Sequence, residues 1–213
     1  MIYRLTNDPF LFPDPVLAED DGLLAIGGDL SPERLVCAYT LGIFPWFNED
    51  DPILWYSPHE RCVIYPNSIR ISKSMQKLMR SGAFRFTKNR AFTDVISACA
   101  KISRAGQKGT WIGAEMQSAY IRLFELGIAQ SIEVWQEEVL VGGLYGLQIN
   151  EVFCGESMFS AVSNASKAAL ICLAQKGDLS LIDCQLPNPH LMSMGAEMIS
   201  RADYMDILSS IIH

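Results

Sequence analysis

The run "SIEVWQEEVLVGGLYGLQINEVFCGESMFS", residues 131–160, decides the fold. Three stretches rich in Val, Ile, Leu, Tyr and Trp, "SIEVWQ", "VLVGGLYGLQI" and "VFCGES", follow one another. Only Glu137-Glu138 and Asn150-Glu151 separate them. Gaps this short join antiparallel neighbours, so the run predicts a β-meander. A capped apolar helix follows at "SNASKAALICLAQKG" (163–177), stopped by Gly177, and then a strand at "LSLIDCQL".

Upstream, "LSPERLVCAYTLG" (30–42) predicts a helix with Ser31 as N-cap, Pro32 in its first turn and Gly42 as its stop. "IFPWFNEDDPILWYSP" is too rich in proline for a long helix and reads as an irregular region with a short strand near 53–56. "RCVIYP" (61–66) is a strand ended by proline, and "FRFTKN" is another. Helical spacing of apolar residues predicts helices over 72–82, 91–103 and 113–127. "SRADYMDILSSII" closes the chain as a helix with Ser200 and Asp203 in capping-box-like positions. The fold class is α+β. A small N-terminal α+β domain (1–62) precedes a larger one (63–213) with a largely antiparallel sheet flanked by helices. The order meander, helix, strand resembles the acetyltransferase-like fold, a topological likeness that does not carry function.

The chain has 213 residues, 49% apolar and 19% charged, enough for a substantial core. No apolar run reaches the length of a membrane span, and "MIYRLTNDPFLFPDP" lacks the pattern of a signal peptide, so a cytoplasmic protein is expected. Six cysteines without a CxxC pair read as reduced thiols. None of the three histidines stands at ligand spacing from a cysteine, so no metal is expected. The net charge of −7 hides a strong asymmetry. Residues 70–108 hold ten of the seventeen basic residues and one acid, a segment of +9 against −16 for the rest. Lys73, Lys77 and Arg80 fall on one helix face, with Arg70 just before it. They read as a nucleic-acid surface, the plainer alternative being a solvated helix face.

Two acids sit in apolar company. "FCGESMFS" (153–160) raises the question whether Cys154 is a nucleophile helped by Glu156, or Glu156 is the working group and Cys154 packing. A nucleophilic cysteine needs a base, and neither His59 nor His190 lies in a nucleophile motif, so Cys154 reads as buried packing. "LIDCQ" places Asp183 and Gln185 two apart on a strand, on one face and about 7 Å apart, with Cys184 facing away. A buried acid and amide are costly unless hydrogen-bonded, and are kept either as a satisfied structural pair or for chemistry. Trp46 in "GIFPWF" and Trp111 in "GTWIG" lie in turns, where aromatic residues line pockets as often as cores. A coenzyme A site would need a glycine-rich loop before the 163–177 helix. "FSAVSNASKAAL" has no glycine between Gly155 and Gly177, and there is no P-loop.

Eight ordered blocks carry a closer resemblance: "GLLAIGGDLSPERLVCAYTLGIFPWF", "DPILWYSP", "GTWI", "LGIAQSIEVW", "LVGGLYG", "FCGESMFS", "NASKAAL" and "LIDCQ". Over about residues 22–204 the chain resembles the bacterial leucyl/phenylalanyl-tRNA–protein transferases. The resemblance implies transfer of leucine or phenylalanine, and less well methionine, from aminoacyl-tRNA to proteins beginning with Arg or Lys. Products of that reaction enter N-end rule degradation. It implies no cofactor, no metal, no membrane and a monomer, with an acetyltransferase-like C-terminal domain. Carried over by motif, Asp183, Gln185 and Glu156 are the catalytic residues. Asp183 then orients Gln185 to accept the amine proton, or acts as the base itself, and Glu156 holds cationic groups near the ester. Trp46, Trp111, Phe153, Leu144, Met158 and Leu173 form the donor pocket. Leu173 stands where the family often has an aromatic residue, which implies a wider rim, and Leu144 where it often has methionine. Lys73, Lys77, Arg80 and Arg70 meet tRNA. The alternatives are leucyl transfer to acidic chain ends, a coenzyme A-dependent N-acetyltransferase, a tRNA-binding module without catalysis, and a cysteine hydrolase.

Overall fold

The computed structural model describes residues 2–102 and 112–210. Trp111, Arg104 and Lys108 lie outside the described residues. The predicted meander is present as β7 (Ala129–Gln136), β8 (Val139–Ile149) and β9 (Val152–Ser160), paired antiparallel in order. These strands form the middle of a seven-stranded sheet. Its other strands are β5 (Glu60–Ile64), β6 (Arg85–Lys88), β10 (Leu181–Gln185) and β11 (Glu197–Ser200), and the sheet order is β11-β5-β10-β9-β8-β7-β6. β10 runs parallel to β9 and antiparallel to β5, so the sheet is mixed, with one parallel pair at its centre. A smaller sheet carries β1 (Tyr3–Arg4), β2 (Leu23–Ile26), β3 (Phe44–Pro45) and β4 (Leu54–Tyr56) in the order β1-β2-β4-β3. The chain changes sheet in the link 57–59, and the division drawn at residue 62 falls inside β5.

Alternation along the central strands explains the layers. Cys62, Ile64, Phe153 and Ile182 join one apolar cluster, while Val63, Cys154 and Leu181 join the other. On the first side lie α2 (Lys73–Arg80) and α5 (Ala165–Lys176). On the second lie α1 (Pro32–Thr40), α3 (Phe92–Lys101), α4 (Ala114–Glu125) and α7 (Arg201–Ser210), with α6 (Pro189–Ser193) between β10 and β11. α5 is apolar almost all round because the sheet, α2 and α6 cover it. Gly142 permits its approach, since a Cβ there would stand 2.5 Å from that of Ala165. The helix caps follow the sequence in part. Ser72 Oγ accepts from the amide of Met75, and Ser200 Oγ from that of Asp203, whereas Ser31 makes no side-chain cap.

Two irregularities place the site. In β9 the register slips so that Gly146 faces Gly155 and Tyr145 faces Ser157, leaving Glu156 as the extra residue of a bulge. Gly146 makes this possible, because a Cβ there would collide with the carbonyl oxygen of Cys154. The bulge reverses the alternation: Phe153 and Met158, five positions apart, end on the same side of the sheet. β10 pairs with β9 only through Leu181, Ile182 and Asp183, then slips against β5 before Gln185, whose φ is +61°. A left-handed conformation at a non-glycine residue is uncommon and has to be held by its surroundings. The two parallel strands therefore part just beyond Asp183 and Cys154, at their C-terminal ends, where open sheets take ligands.

Candidate active site

A cavity of about 480 Å³ opens at this fork. Its apolar part is lined by Leu144, Phe153, Met158, Leu170 and Leu173, and Trp46 stands at its edge, 38% exposed. Glu156, Asp183 and Gln185 border its polar end. β8, β9, β10, α5 and the segment after β3 thus put five of the six expected pocket residues and all three expected catalytic residues around one space. The sixth, Trp111, is outside the described residues.

Asp183 is fully buried. Its Oδ1 accepts from Arg61 Nε at 2.9 Å and from the backbone amide of Gln185 at 2.8 Å. Its Oδ2 accepts from Arg61 Nη2 at 2.9 Å and from the Tyr204 hydroxyl at 2.8 Å. These four bonds take up the carboxylate's lone pairs. Arg61 also donates through Nη1 to the carbonyl of Gly42 at 3.0 Å and stacks between Phe44 and Tyr204, 4.7 and 4.6 Å from the ring centroids. Burial pulls the Arg61 pKa down, but Asp183 more than offsets this, so the guanidinium stays charged. The expected link from Asp183 to Gln185 exists, yet it runs through the Gln185 backbone and fixes its left-handed turn. The Gln185 side chain goes elsewhere: its Nε2 donates to Glu156 Oε1 at 2.8 Å.

Glu156 is 8% exposed and has no cation beside it among the described residues. Oε1 accepts from the Tyr39 hydroxyl at 2.6 Å, and Oε2 lies within hydrogen-bond distance of the Tyr120 hydroxyl, at 2.9 Å. The two hydroxyls are 2.6 Å apart. Burial pushes the Glu156 pKa up to about 7, the three hydrogen bonds pull against that shift, and the Asp183 charge adds to it. Cys154 is fully buried, with its thiol 3.9 Å from the Tyr204 hydroxyl. Burial and then the Asp183 charge push that thiol well above its ordinary range, and Arg61 only partly opposes them. A protonated, enclosed thiol is no nucleophile.

Sequence reasoning missed Tyr39, Arg61, Tyr120 and Tyr204, which hold the two acids. One faint signal existed for Arg61, a charge opening the apolar strand "RCVIYP". The tyrosines sit on apolar helix faces and read as core. At the start of α5, the Ala165 and Ser166 amides are already bonded to the Val162 carbonyl and to Ser160 Oγ, at 3.2 and 3.1 Å. Lys73, Lys77, Arg80 and Arg70 are all exposed, the first three on α2. No helix among the described residues is long and apolar enough to cross a membrane.

A bulged strand fork with an apolar pocket and a polar wall, and with Cys154 shut in the core, suits a transferase whose acyl donor arrives already activated. Residues 63–209 match the leucyl/phenylalanyl-tRNA protein transferase family, and residues 28–59 match that family's N-terminal domain. A leucyl/phenylalanyl-tRNA–protein transferase of Flavobacterium johnsoniae is 54% identical over 98% of this chain and all of its own length. One from Shewanella baltica is 56% identical over 94% of this chain and 86% of its own. The chain belongs to this family of aminoacyltransferases. Among solved structures, a GCN5-related N-acetyltransferase from Kribbella flavida is similar at 9% identity and TM-score 0.39. That match covers 78% of this chain and 60% of that one, a likeness too slight to bear on function.

Proposed function

We propose that the chain transfers leucine or phenylalanine, and less well methionine, from the 3′ ester of aminoacyl-tRNA to the α-amine of proteins that begin with Arg or Lys, in the cytoplasm. The modified proteins would enter N-end rule degradation. One observation carries this reading: the cavity joins an apolar pocket to Gln185 and Glu156 at one strand fork. A leucyl or phenylalanyl side chain buried there gains about 1.5–3 kcal/mol, and one methylene more or less changes rates by only about 10–200-fold, which suits acceptance of methionine. The exposed acids Glu49, Asp50 and Asp51 follow Trp46 and favour a basic chain end.

In the step itself the acceptor nitrogen attacks the ester carbon. A C–N bond forms, the C–O bond to the ribose breaks, the ribose oxygen leaves with one proton, and the nitrogen gives one up. An ester is already activated, so no covalent enzyme intermediate is required. Because Gln185 Nε2 donates to Glu156, the amide carbonyl is turned from that acid and is free to accept from the amine. Asp183, with its lone pairs taken, suits the role of positioning residue better than that of base. Lys73, Lys77, Arg80 and Arg70 supply phosphate contacts, which position tRNA without reading its sequence. The bonded amides at the start of α5 leave little for a pyrophosphate and weigh against coenzyme A.

The test uses radiolabelled leucyl-tRNA with two acceptor proteins, one beginning with Arg and one with Asp, and compares wild type with Gln185→Ala. Label on the Arg protein alone, lost in the variant, supports donor, acceptor and site together. Label on the Asp protein overturns the acceptor. Bound tRNA with no label on either overturns the transferase reading.

A further inference from the structure

The hydrogen atoms around Glu156 can be counted. Glu156 Oε1, the Tyr39 hydroxyl, the Tyr120 hydroxyl and Glu156 Oε2 form a closed ring with contacts of 2.6, 2.6 and 2.9 Å. Each short contact between oxygens needs one proton, but two phenols bring only two. If Glu156 were ionised, the two phenol protons could fill only two of the three contacts, and the third would press lone pair against lone pair. A third proton on the carboxyl removes the conflict. The Gln185 amide fixes where it sits: Oε1 accepts from both Gln185 and Tyr39, so Oε1 is the carbonyl oxygen and the proton is on Oε2. The ring then runs from Oε2 to Tyr120, from Tyr120 to Tyr39 and from Tyr39 to Oε1.

We propose that Tyr39 and Tyr120 are positioning residues that hold Glu156 as the neutral carboxylic acid, in a one-way ring that fixes the Gln185 amide for aminoacyl transfer. This rests on the transfer reaction proposed above. The surroundings agree. Among the described residues, Glu156 faces Tyr39 from α1, Tyr120 from α4, Asp183 and Gln185 from β10 and Cys154 on its own strand, while Tyr145 from β8 packs against Tyr120. Arg61, the cation near Glu156 among the described residues, is spent on Asp183. Burial holds the Tyr39 and Tyr120 phenols well above their ordinary pKa, so both keep their protons. A neutral Glu156 adds no charge to the polar end of the cavity, where the Asp183 charge is already balanced by Arg61. Its Oε1 then accepts from Gln185 in one sense only, and the Gln185 carbonyl is kept toward the reacting amine.

Infrared difference spectra of wild type against Glu156→Gln test the proton without reference to activity. Near pH 6, about one unit below the Glu156 pKa, the carbonyl band of a protonated carboxyl is expected, fading as the pH is raised to about 8. A carboxylate signal at the lower pH overturns the ring. In the transfer assay, Tyr39→Phe and Tyr120→Phe are each expected to lower kcat about tenfold, the scale of one lost hydrogen bond, with KM for leucyl-tRNA unchanged. Glu156→Gln keeps an acceptor toward Gln185 and a donor toward Tyr120. It is expected to transfer about tenfold faster than Glu156→Ala and to lose the pH dependence near 7. Equal rates for the two Glu156 variants overturn the positioning role. A band present in wild type that transfers to no acceptor refutes the transfer reaction and leaves the ring proton standing.

Discussion

The two buried acids of the fork share a cavity and differ in everything around them. Asp183 has a guanidinium in bidentate contact, a phenol and a backbone amide, so its charge is balanced and its lone pairs are full. Glu156 has two phenols and a carboxamide and, among the described residues, no cation. The first arrangement keeps a charge in place whatever the substrate does. The second leaves a proton that can move within the working pH range. Burial alone does not decide whether an acid is structural or reactive; the presence of a matched cation does.

Removing Asp183 breaks the comparison most severely. Asp183→Ala leaves Arg61 charged, fully buried and without its anion, a loss of about 3–5 kcal/mol. Urea unfolding should show a lower midpoint at unchanged slope. A stability within about 1 kcal/mol of wild type would mean that the pair does not anchor the fork. Lost transfer in this variant therefore says little about catalysis by Asp183 itself.

Glu156 answers to pH instead. Its proton leaves near the ordinary 4.5 in the unfolded chain and near 7 in the folded one. Between those values the folded state binds more protons, so stability falls as pH rises through the window and levels off above it. The loss is on the order of 3 kcal/mol. Unfolding curves of wild type and Glu156→Gln at several pH values isolate it, because the variant lacks that proton while every other group remains. Parallel pH profiles for the two proteins would show that Glu156 ionises freely in the fold.

Gln185 touches both acids, one through its backbone and one through its side chain. Gln185→Ala keeps the backbone bond to Asp183 and removes the side chain that faces the cavity. Transfer is expected to fall roughly 100-fold in kcat/KM, with stability within about 1 kcal/mol of wild type. A large stability loss would make Gln185 part of the anchor rather than of the reaction.

The sequence pattern led to Asp183, Gln185 and Glu156 because a polar residue inside an apolar strand has to be accounted for. It led to the meander because the three β-rich runs leave room only for hairpins. It did not lead to the partners. Tyr39 lies 117 positions from Glu156, and Arg61 lies 122 from Asp183, distances over which no local periodicity reaches. A tyrosine such as Tyr120 among Met116, Ala119 and Leu123 satisfies a helix pattern as core, and nothing local marks its hydroxyl as bonded. The bulge at Glu156 was equally hidden. Plain alternation sets Phe153 and Met158 on opposite faces, and only the register of β8 against β9 brings them together. Asp183 and Gln185 were expected to meet side chain to side chain; the slip in β10 turned that into a side-chain-to-backbone bond.

The contrast between matched and unmatched charge extends to the surface, where the expected effect is smallest. Lys73, Lys77 and Arg80 are exposed on α2 with no ion-pair partner among the described residues. Unpaired cations on one face attract phosphate and release its counterions, so each contact adds to the salt dependence of binding. Replacing any one of the three by Ala should reduce the slope of log Kd for leucyl-tRNA against log salt by roughly 1, with kcat unchanged. Stability should stay within about 0.5 kcal/mol, since no pair is broken. A lower kcat at saturating tRNA would mean that α2 shapes the strand fork. An unchanged slope would mean that the helix faces solvent and that tRNA lies elsewhere.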